Sequence, residues 1–338
     1  MVSTGGTTEK TMLMRTQEPS ESGSSSSIVI DGRNEIYSVA ILVDGKHIVS
    51  GGEDGKIRHW RMEDGKEVGM PMDARSAVCA IAVSLDGKVI VSGTKSGQVT
   101  VWNTERHSKT TEFKAHGDWV YAVDVSPDAT KIATASKDST AWVWSLSTGE
   151  RLSMPRPFVH DNYVVGAKFS PDGNFFATAT LCRHSLRVYD GQNGGLLVDF
   201  PVEVGSSQNW SLAWACDSKQ LFTLSKDGYI HRVDVFSKTT LSKWQIHNSN
   251  YPTCIALASN GTFIAASTGS SVSFWDTASQ QQIGTVVEYT HNVESMAMSS
   301  NYDLVTGGGN KITLRALCGT LPTHYLDIVG VLVFLINC

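Results

Sequence analysis

The feature that most constrains this chain is a segment that returns every 40 to 45 residues. SGGEDGKIRHW ends at Trp60, SGTKSGQVTVW at Trp102 and TASKDSTAWVW at Trp144, so three tryptophans stand 42 residues apart. The frame continues through TATLCRHSLRVY at Tyr189, TLSKDGYIHRV at Val233, ASTGSSVSFW at Trp275 and GGGNKITLR at Arg315, which makes seven copies. A unit that repeats at this period cannot bury its apolar surface alone, so its copies must stack on one another and share a core.

Each copy has an upstream half: VAILVDGKHIVSG (39–51), IAVSLDGKVIVSG (81–93), VDVSPDATKIATAS (123–136) and AKFSPDGNFFATAT (167–180). Short runs rich in Val, Ile, Ala and Phe flank Asp-Gly and Pro-Asp turns, which is the texture of antiparallel hairpins. No long segment of helical period interrupts it.

Of the 338 residues 41% are hydrophobic, enough for a large core. The 28 Lys and Arg against 33 Asp and Glu give a net charge of -5 with no block of like charge, which argues against nucleic acid or anionic lipid as a main partner. Cys79, Cys182, Cys216, Cys254, Cys318 and Cys338 are far apart without a Cys-x-x-Cys pair, so neither a zinc site nor a disulfide framework is indicated. No signal-peptide pattern follows Met1, and the expected compartment is cytoplasmic or nuclear.

The period, the hairpin turn and the terminal Trp together resemble the WD40-repeat family, whose units fold as four-stranded blades of a β-propeller. The resemblance covers residues 28–315 and implies an all-β, seven-bladed propeller of antiparallel blades. It is full in the third copy and degenerate in the last three, where Val233 and Arg315 take the Trp slot. In the family each repeat supplies the outer strand of one blade and the inner three of the next, so the chain ends meet in one blade; Ile28–Ile30 is the expected closing strand.

The resemblance also implies a buried structural set of His, Ser or Thr, Asp and Trp. Only the third copy has all four members, His116, Thr134, Asp138 and Trp144. Elsewhere the set is partial: His160, Thr178 and Tyr189; Ser50, Asp54 and Trp60 with Gly32 at the His slot; Ser92 and Trp102 with Ala74. A His, Asp and Thr cluster has the composition of a catalytic triad, but this one recurs in the repeat frame and ends in a Trp, which plays no part in acyl transfer. Gly51–Lys56 is one residue short of a phosphate loop and reads as a hairpin turn. No catalytic residue, metal ligand or cofactor is expected.

Family members dock partners on the loops that enter each blade and on the turns between its second and third strands. Three residues after the His slot stand Glu35, Ala77, Trp119, Tyr163, Gln208, Tyr251 and Asn292; the residue before the Asp slot is Glu53, Lys95, Lys137 or Lys226. Trp119, Tyr163 and Tyr251 beside Lys95, Lys137 and Lys226 would suit an acidic or phosphorylated peptide. The alternative is that the rings pack under their own loops and the lysines are solvated turn residues.

Residues 1–27, rich in Ser and Thr, read as a disordered tail. Residues 316–338 lose the repeat and end in the apolar run Ile328–Ile336, too short to span a bilayer. This tail is read either as a strand competing for the closing position, as a partner-bound segment, or as chain foreign to the repeat fold. The expected function is a non-enzymatic protein-interaction scaffold within a multiprotein complex. Two alternatives are kept: a substrate-recognition or sensor module of an assembly such as a ubiquitin ligase, and an enzyme with its site at the central channel.

Overall fold

The structure is a computed structural model that describes residues 27–152, 158–181, 186–200, 212–225, 228–246, 252–318 and 320–326. Among the described residues it holds 28 strands and one short 3-10 turn, arranged as seven four-stranded antiparallel sheets. The expected all-β propeller is the observed fold.

The first strand, β1 (Ser27–Asp31), stands apart from its neighbours in sequence. Blade 1 is β2 (Ile36–Ile41), β3 (His47–Gly52), β4 (Lys56–Arg61) and β5 (Met72–Asp73); blade 2 is β6 (Val78–Val83), β7 (Val89–Thr94), β8 (Gln98–Asn103) and β9 (Ser108–Lys114). Blade 3 holds β10 (Val120–Val125), β11 (Lys131–Ser136), β12 (Thr140–Ser145) and β13 (Phe158–Val159); blade 4 holds β14 (Val164–Phe169), β15 (Phe175–Thr180), β16 (Leu186–Asp190) and β17 (Leu196–Phe200). Blade 5 comprises β18 (Leu212–Trp214), β19 (Gln220–Leu224), β20 (Tyr229–Asp234) and β21 (Thr239–Gln245), and blade 6 β22 (Pro252–Leu257), β23 (Phe263–Thr268), β24 (Ser271–Asp276) and β25 (Gln282–Glu288). Blade 7 takes β26 (Ser295–Met298), β27 (Asp303–Gly308) and β28 (Lys311–Ala316) from the C-terminal end and β1 from the N-terminal end.

Local chemistry accounts for the hairpins. In the turn between the first and second strands, Asp44, Asp86, Asp128, Asp172 and Asp217 each accept a backbone N–H two residues on through Oδ1. In these turns a residue beside the Asp lies at positive φ. Gly45, Gly87, Gly173 and Gly261 supply it, and Ala129, Ser218 and Tyr302 adopt it at the same point of their own repeats.

Register shows that the seven copies are one frame. Trp60, Trp102, Trp144, Tyr189, Val233, Trp275 and Arg315 stand opposite Ile48, Ile90, Ile132, Phe176, Leu221, Ile264 and Leu304, always the second residue of the neighbouring strand. Val233 is fully buried in the slot without any polar handle. The slot is thus first a packing position and only secondarily a hydrogen-bonding one.

The innermost strands touch in a cycle, β2 to β6, β10, β14, β18, β22 and β26, and β26 back to β2. Apolar side chains fill the spaces between blades. At the seam Ile30, Val305, Ile312 and Leu314 of blade 7 pack with Ile36, Val39, Ile48 and Trp60 of blade 1. The closing strand is β1, paired antiparallel with β28 from Ser27 opposite Arg315 to Asp31 opposite Lys311.

The described part of the C-terminal segment has another place. Leu317, Leu321 and Leu326 are buried beside Phe263, Phe274, Tyr302 and Leu304, where they cover the junction of blades 6 and 7 without joining a blade. Residues 1–26 and 327–338, which include the run Ile328–Ile336, lie outside the described residues.

Because Ile30 faces the seam while Val29 is 50% exposed, the two neighbours separate closure from strand propensity. Ile30→Ala is expected to cost about 2–5 kcal/mol in urea unfolding, as other buried Ile truncations do, and Val29→Ala within about 0.5 kcal/mol. Equal losses would show that β1 is not a structural part of the ring.

Candidate functional site

Five side chains from four blades alternate ring and ammonium at one end of the strands. Lys95 Nζ lies 4.8 Å from the ring centre of Tyr37 and 4.7 Å from that of Trp119; Lys137 Nζ lies 4.9 Å from Trp119 and 5.8 Å from Tyr163. The order Tyr37, Lys95, Trp119, Lys137, Tyr163 runs across blades 1 to 4 as a ladder of cation–π contacts. Of the residues singled out in the sequence, Trp119, Tyr163, Lys95 and Lys137 are brought together. Tyr251 and Lys226 lie outside the described residues.

Backbone pairing explains why these residues meet. The amide of the turn residue donates to the carbonyl of the loop residue in each of the first four blades: Glu53 to Glu35, Lys95 to Ala77, Lys137 to Trp119 and Leu181 to Tyr163. The two frame positions are therefore held side by side, and a Lys at one reaches rings on its own and adjoining blades. Inner strands add a second tier. The pairing skips one residue at the start of each inner strand in blades 1 to 4, namely Tyr37, Cys79, Tyr121 and Val165. Such bulges re-aim the extra side chain. Tyr121, which is buried, lies under Trp119 at 6.1 Å and Tyr163 at 6.5 Å between ring centres.

Tyr37 and Tyr121 were not singled out in the sequence, although both stand two residues beyond the position that was. The frame offset carried the signal. Tyr163 is 38% exposed and Trp119 half-buried, so the rings neither retreat fully under their loops nor stand free.

Acidic groups thread the ladder. Glu53 accepts from Lys95 at 2.5 Å and from the Tyr37 hydroxyl at 2.8 Å, and Lys95 also donates to the Tyr37 oxygen at 3.2 Å. The Lys95 bond, then the Tyr37 bond, pulls the Glu53 carboxyl below its ordinary range. Burial, then the Glu53 and Glu35 carboxylates, push the Tyr37 phenol up. Burial likewise raises Tyr121, to about 12. Lys137 has a looser partner, Asp118 at 4.0 Å. Lys95 is committed inside the ladder, whereas Lys137 is the cation with charge to offer.

The set in blade 3 is a directional chain of hydrogen bonds. Trp144 Nε1 donates to Thr134 Oγ1 at 2.9 Å, Thr134 lies 2.7 Å from His116 Nε2, and His116 Nδ1 lies 3.0 Å from Asp138 Oδ2. If the Thr134 hydroxyl donates to Nε2, Nδ1–H is left for Asp138 and every polar atom is satisfied. Asp138 also accepts from the Gly117 amide at 3.0 Å and from Thr140 at 2.6 Å. The His116 side chain is 0% exposed, so it has no route to a substrate.

Other blades improvise. Trp60 and Trp102 donate to Ser50 and Ser92 at 2.8 and 2.9 Å. In blade 1, where Gly32 replaces the imidazole, Asp54 takes the Arg58 guanidinium at 2.6 Å and Asn34 at 3.1 Å instead. In blade 4 His160 Nε2 reaches Thr178 at 3.1 Å, and burial lowers that imidazole to about 3. In blade 6 Trp275 turns to Ser273 of its own strand at 2.8 Å.

Among the described residues no group of three or more His, Cys, Asp or Glu is arranged to hold a metal, and no helix is long and apolar enough to cross a membrane.

Burial alone would raise Asp138, but the bonds from His116 and Thr140 outweigh it and hold the carboxyl well below the usual range. A carboxyl lowered by folding stabilises the fold above its unfolded value and loses that contribution as pH falls. Asp138→Asn is therefore expected to lower the melting temperature relative to the native chain between pH 5 and 7, with the gap closing below about pH 4. A gap independent of pH would place the effect outside the carboxylate. Thr134→Val, which strands the indole donor and the imidazole together, should cost about 1–3 kcal/mol per group in denaturant unfolding.

Comparison with known proteins agrees with this geometry. Residues 24–61, 70–103, 107–145, 156–190 and 238–276 match the family model described as WD domain, G-beta repeat, and together they make up more than half of the chain. Over 85 residues, 25% of this chain, the sequence is 33% identical to Actin-interacting protein 1 of Drosophila melanogaster, and the match covers 14% of that protein's length. With five matched repeats and seven blades in one register, the chain belongs to the WD40 family.

Proposed function

We propose that this chain is a non-enzymatic protein-interaction scaffold that docks a partner on the ladder face. The observation that carries the reading is the alternation of Tyr37, Lys95, Trp119, Lys137 and Tyr163 across adjoining blades. Aromatic rings on rigid elements supply contact area at small entropic cost, and a partly shielded ammonium supplies direction. The charges favour one register. An acidic or phosphorylated side chain would meet Lys137, between Trp119 and Tyr163, because Lys95 is already neutralised by Glu53.

The name of the Drosophila relative suggests actin as one partner to try, on the strength of the 85 matched residues.

Capture from lysate with the native chain, a Trp119→Ala, Tyr163→Ala variant and a Lys137→Glu variant tests the reading. Partners should be lost from the double variant, with affinity down about 30-fold for about 2 kcal/mol of hot-spot energy. Lys137→Glu should lose the acidic subset, and rising salt should weaken the same subset. A bound set unchanged by both variants would move docking away from this face. Co-sedimentation with filamentous actin decides the actin reading separately.

A further inference from the structure

The opposite end of the strands carries a second cluster. The turns after β2, β6 and β8 and the connection from β4 to β5 surround an open groove between blades 1 and 2. Three imidazoles meet there: His47 at the start of β3, His59 in β4, and His107 in the turn after β8. Ring centres of His47 and His59 are 4.9 Å apart, and those of His59 and His107 are 5.2 Å apart.

Hydrogen-bond directions follow from the partners. His107 Nδ1 lies 3.1 Å from the Met70 carbonyl, which can only accept, so Nδ1 carries the hydrogen. In the neutral ring His107 Nε2 is then a bare acceptor. His59 Nδ1, 2.9 Å away, must donate to it, which leaves His59 Nε2 without a hydrogen. That nitrogen is buried and has no partner, in keeping with a bare lone pair, which is less costly to bury than an N–H. The chain from His59 through His107 to Met70 therefore ties blade 1 to blade 2 and back to the blade 1 connection.

The fit is close on the far side of His107. Gly69 has φ +71° and a Cβ there would lie 2.7 Å from the imidazole. Only glycine allows both that backbone and that ring.

We propose that His59, His107 and the Met70 carbonyl form a proton-sensitive clasp between blades 1 and 2, closed while both imidazoles are neutral and weakened as they take up protons. A proton on His107 Nε2 would reverse the link to His59 and push the remaining His59 hydrogen onto Nε2, which is buried without an acceptor. A proton on His59 must enter at Nε2, which would bury an unpartnered N–H and a charge inside the groove wall. The surrounding charges do not cancel this. Asp44 is engaged by His47 at 2.6 Å, and Asp86, Lys88, Glu105 and Arg106 lie on the groove lining with mixed sign. Burial, then the charges of His47 and His107, lower His59 to about 4. A histidine lowered by folding contributes stability above its unfolded value near 6.5 and loses it as pH falls toward the folded value. Opening would free the segment around Met70, whose side chain is already 80% exposed.

Nitrogen-15 NMR of the full chain tests the directions first: at pH 7.5 both His59 and His107 should carry the hydrogen on Nδ1, with coupling across the shared N–H···N bond. Amide exchange, corrected for intrinsic rates, should then rise about tenfold in residues 66–71 and 104–108 between pH 7.5 and 5.5, the effect of about one pKa unit of linkage. His59→Gln, whose amide can donate to or accept from His107 Nε2 and does not titrate, should remove that pH dependence while the other blades keep their protection. An Nε2–H form of either ring would overturn the clasp. So would unchanged exchange at pH 5.5, a rise shared equally by all blades, or a pH dependence that survives in His59→Gln. Should the variant fail to fold, the tautomers in the native chain decide alone.

Discussion

Everything else in this molecule depends on the antiparallel pairing of β1 with β28. Four-stranded blades with two apolar faces are stable only between neighbours, so an open row of seven would leave its first and last faces in water. Pairing Ser27–Asp31 with Lys311–Arg315 joins the two ends of the chain, and Ile30 with Leu314 completes the packing against Ile36 and Trp60. The ring then has no terminal face. Leu317, Leu321 and Leu326 add a cover over the junction of blades 6 and 7, so the described part of the segment after the last repeat reinforces the ring beside the seam.

A closed ring makes its two ends chemically distinct. At one end, backbone bonds from turn to loop place two frame positions side by side in each of the first four blades, and the residues there become a ladder of rings and ammonium groups. The other end collects the Asx turns and, between blades 1 and 2, the three imidazoles. Both arrangements exist because the strands beneath them are fixed.

Much of this was legible in the sequence because the repeat period fixes which residues are equivalent. The slot of Trp60, Trp102 and Trp144 is occupied in the same register by Val233 and Arg315, whose chemistry differs, since the pairing is set by backbone and burial. The blade 3 set was legible because its members carry the full pattern. What the period could not reveal is which neighbour a side chain meets in the next blade. Glu53 was visible as a turn residue, but its grip on Lys95 of blade 2 is a contact between repeats. Tyr37 and Tyr121 were hidden because a bulge, not the hairpin pattern, aims them. Arg58 took the place of an absent imidazole, a substitution between chemically unlike residues at unlike positions. The ten histidines looked scattered in sequence, and only the packing of blades 1 and 2 gathers His47, His59 and His107.

The central claim is that the seam holds all seven blades as one cooperative ring. Amide hydrogen exchange, resolved by blade, on a chain beginning at residue 32 and on the full chain tests it most directly. The account predicts that removing β1 lowers protection in every blade, including blades 3 and 4 far from the seam. Loss confined to blades 7 and 1, with the strands beneath Trp119 as protected as before, would contradict it.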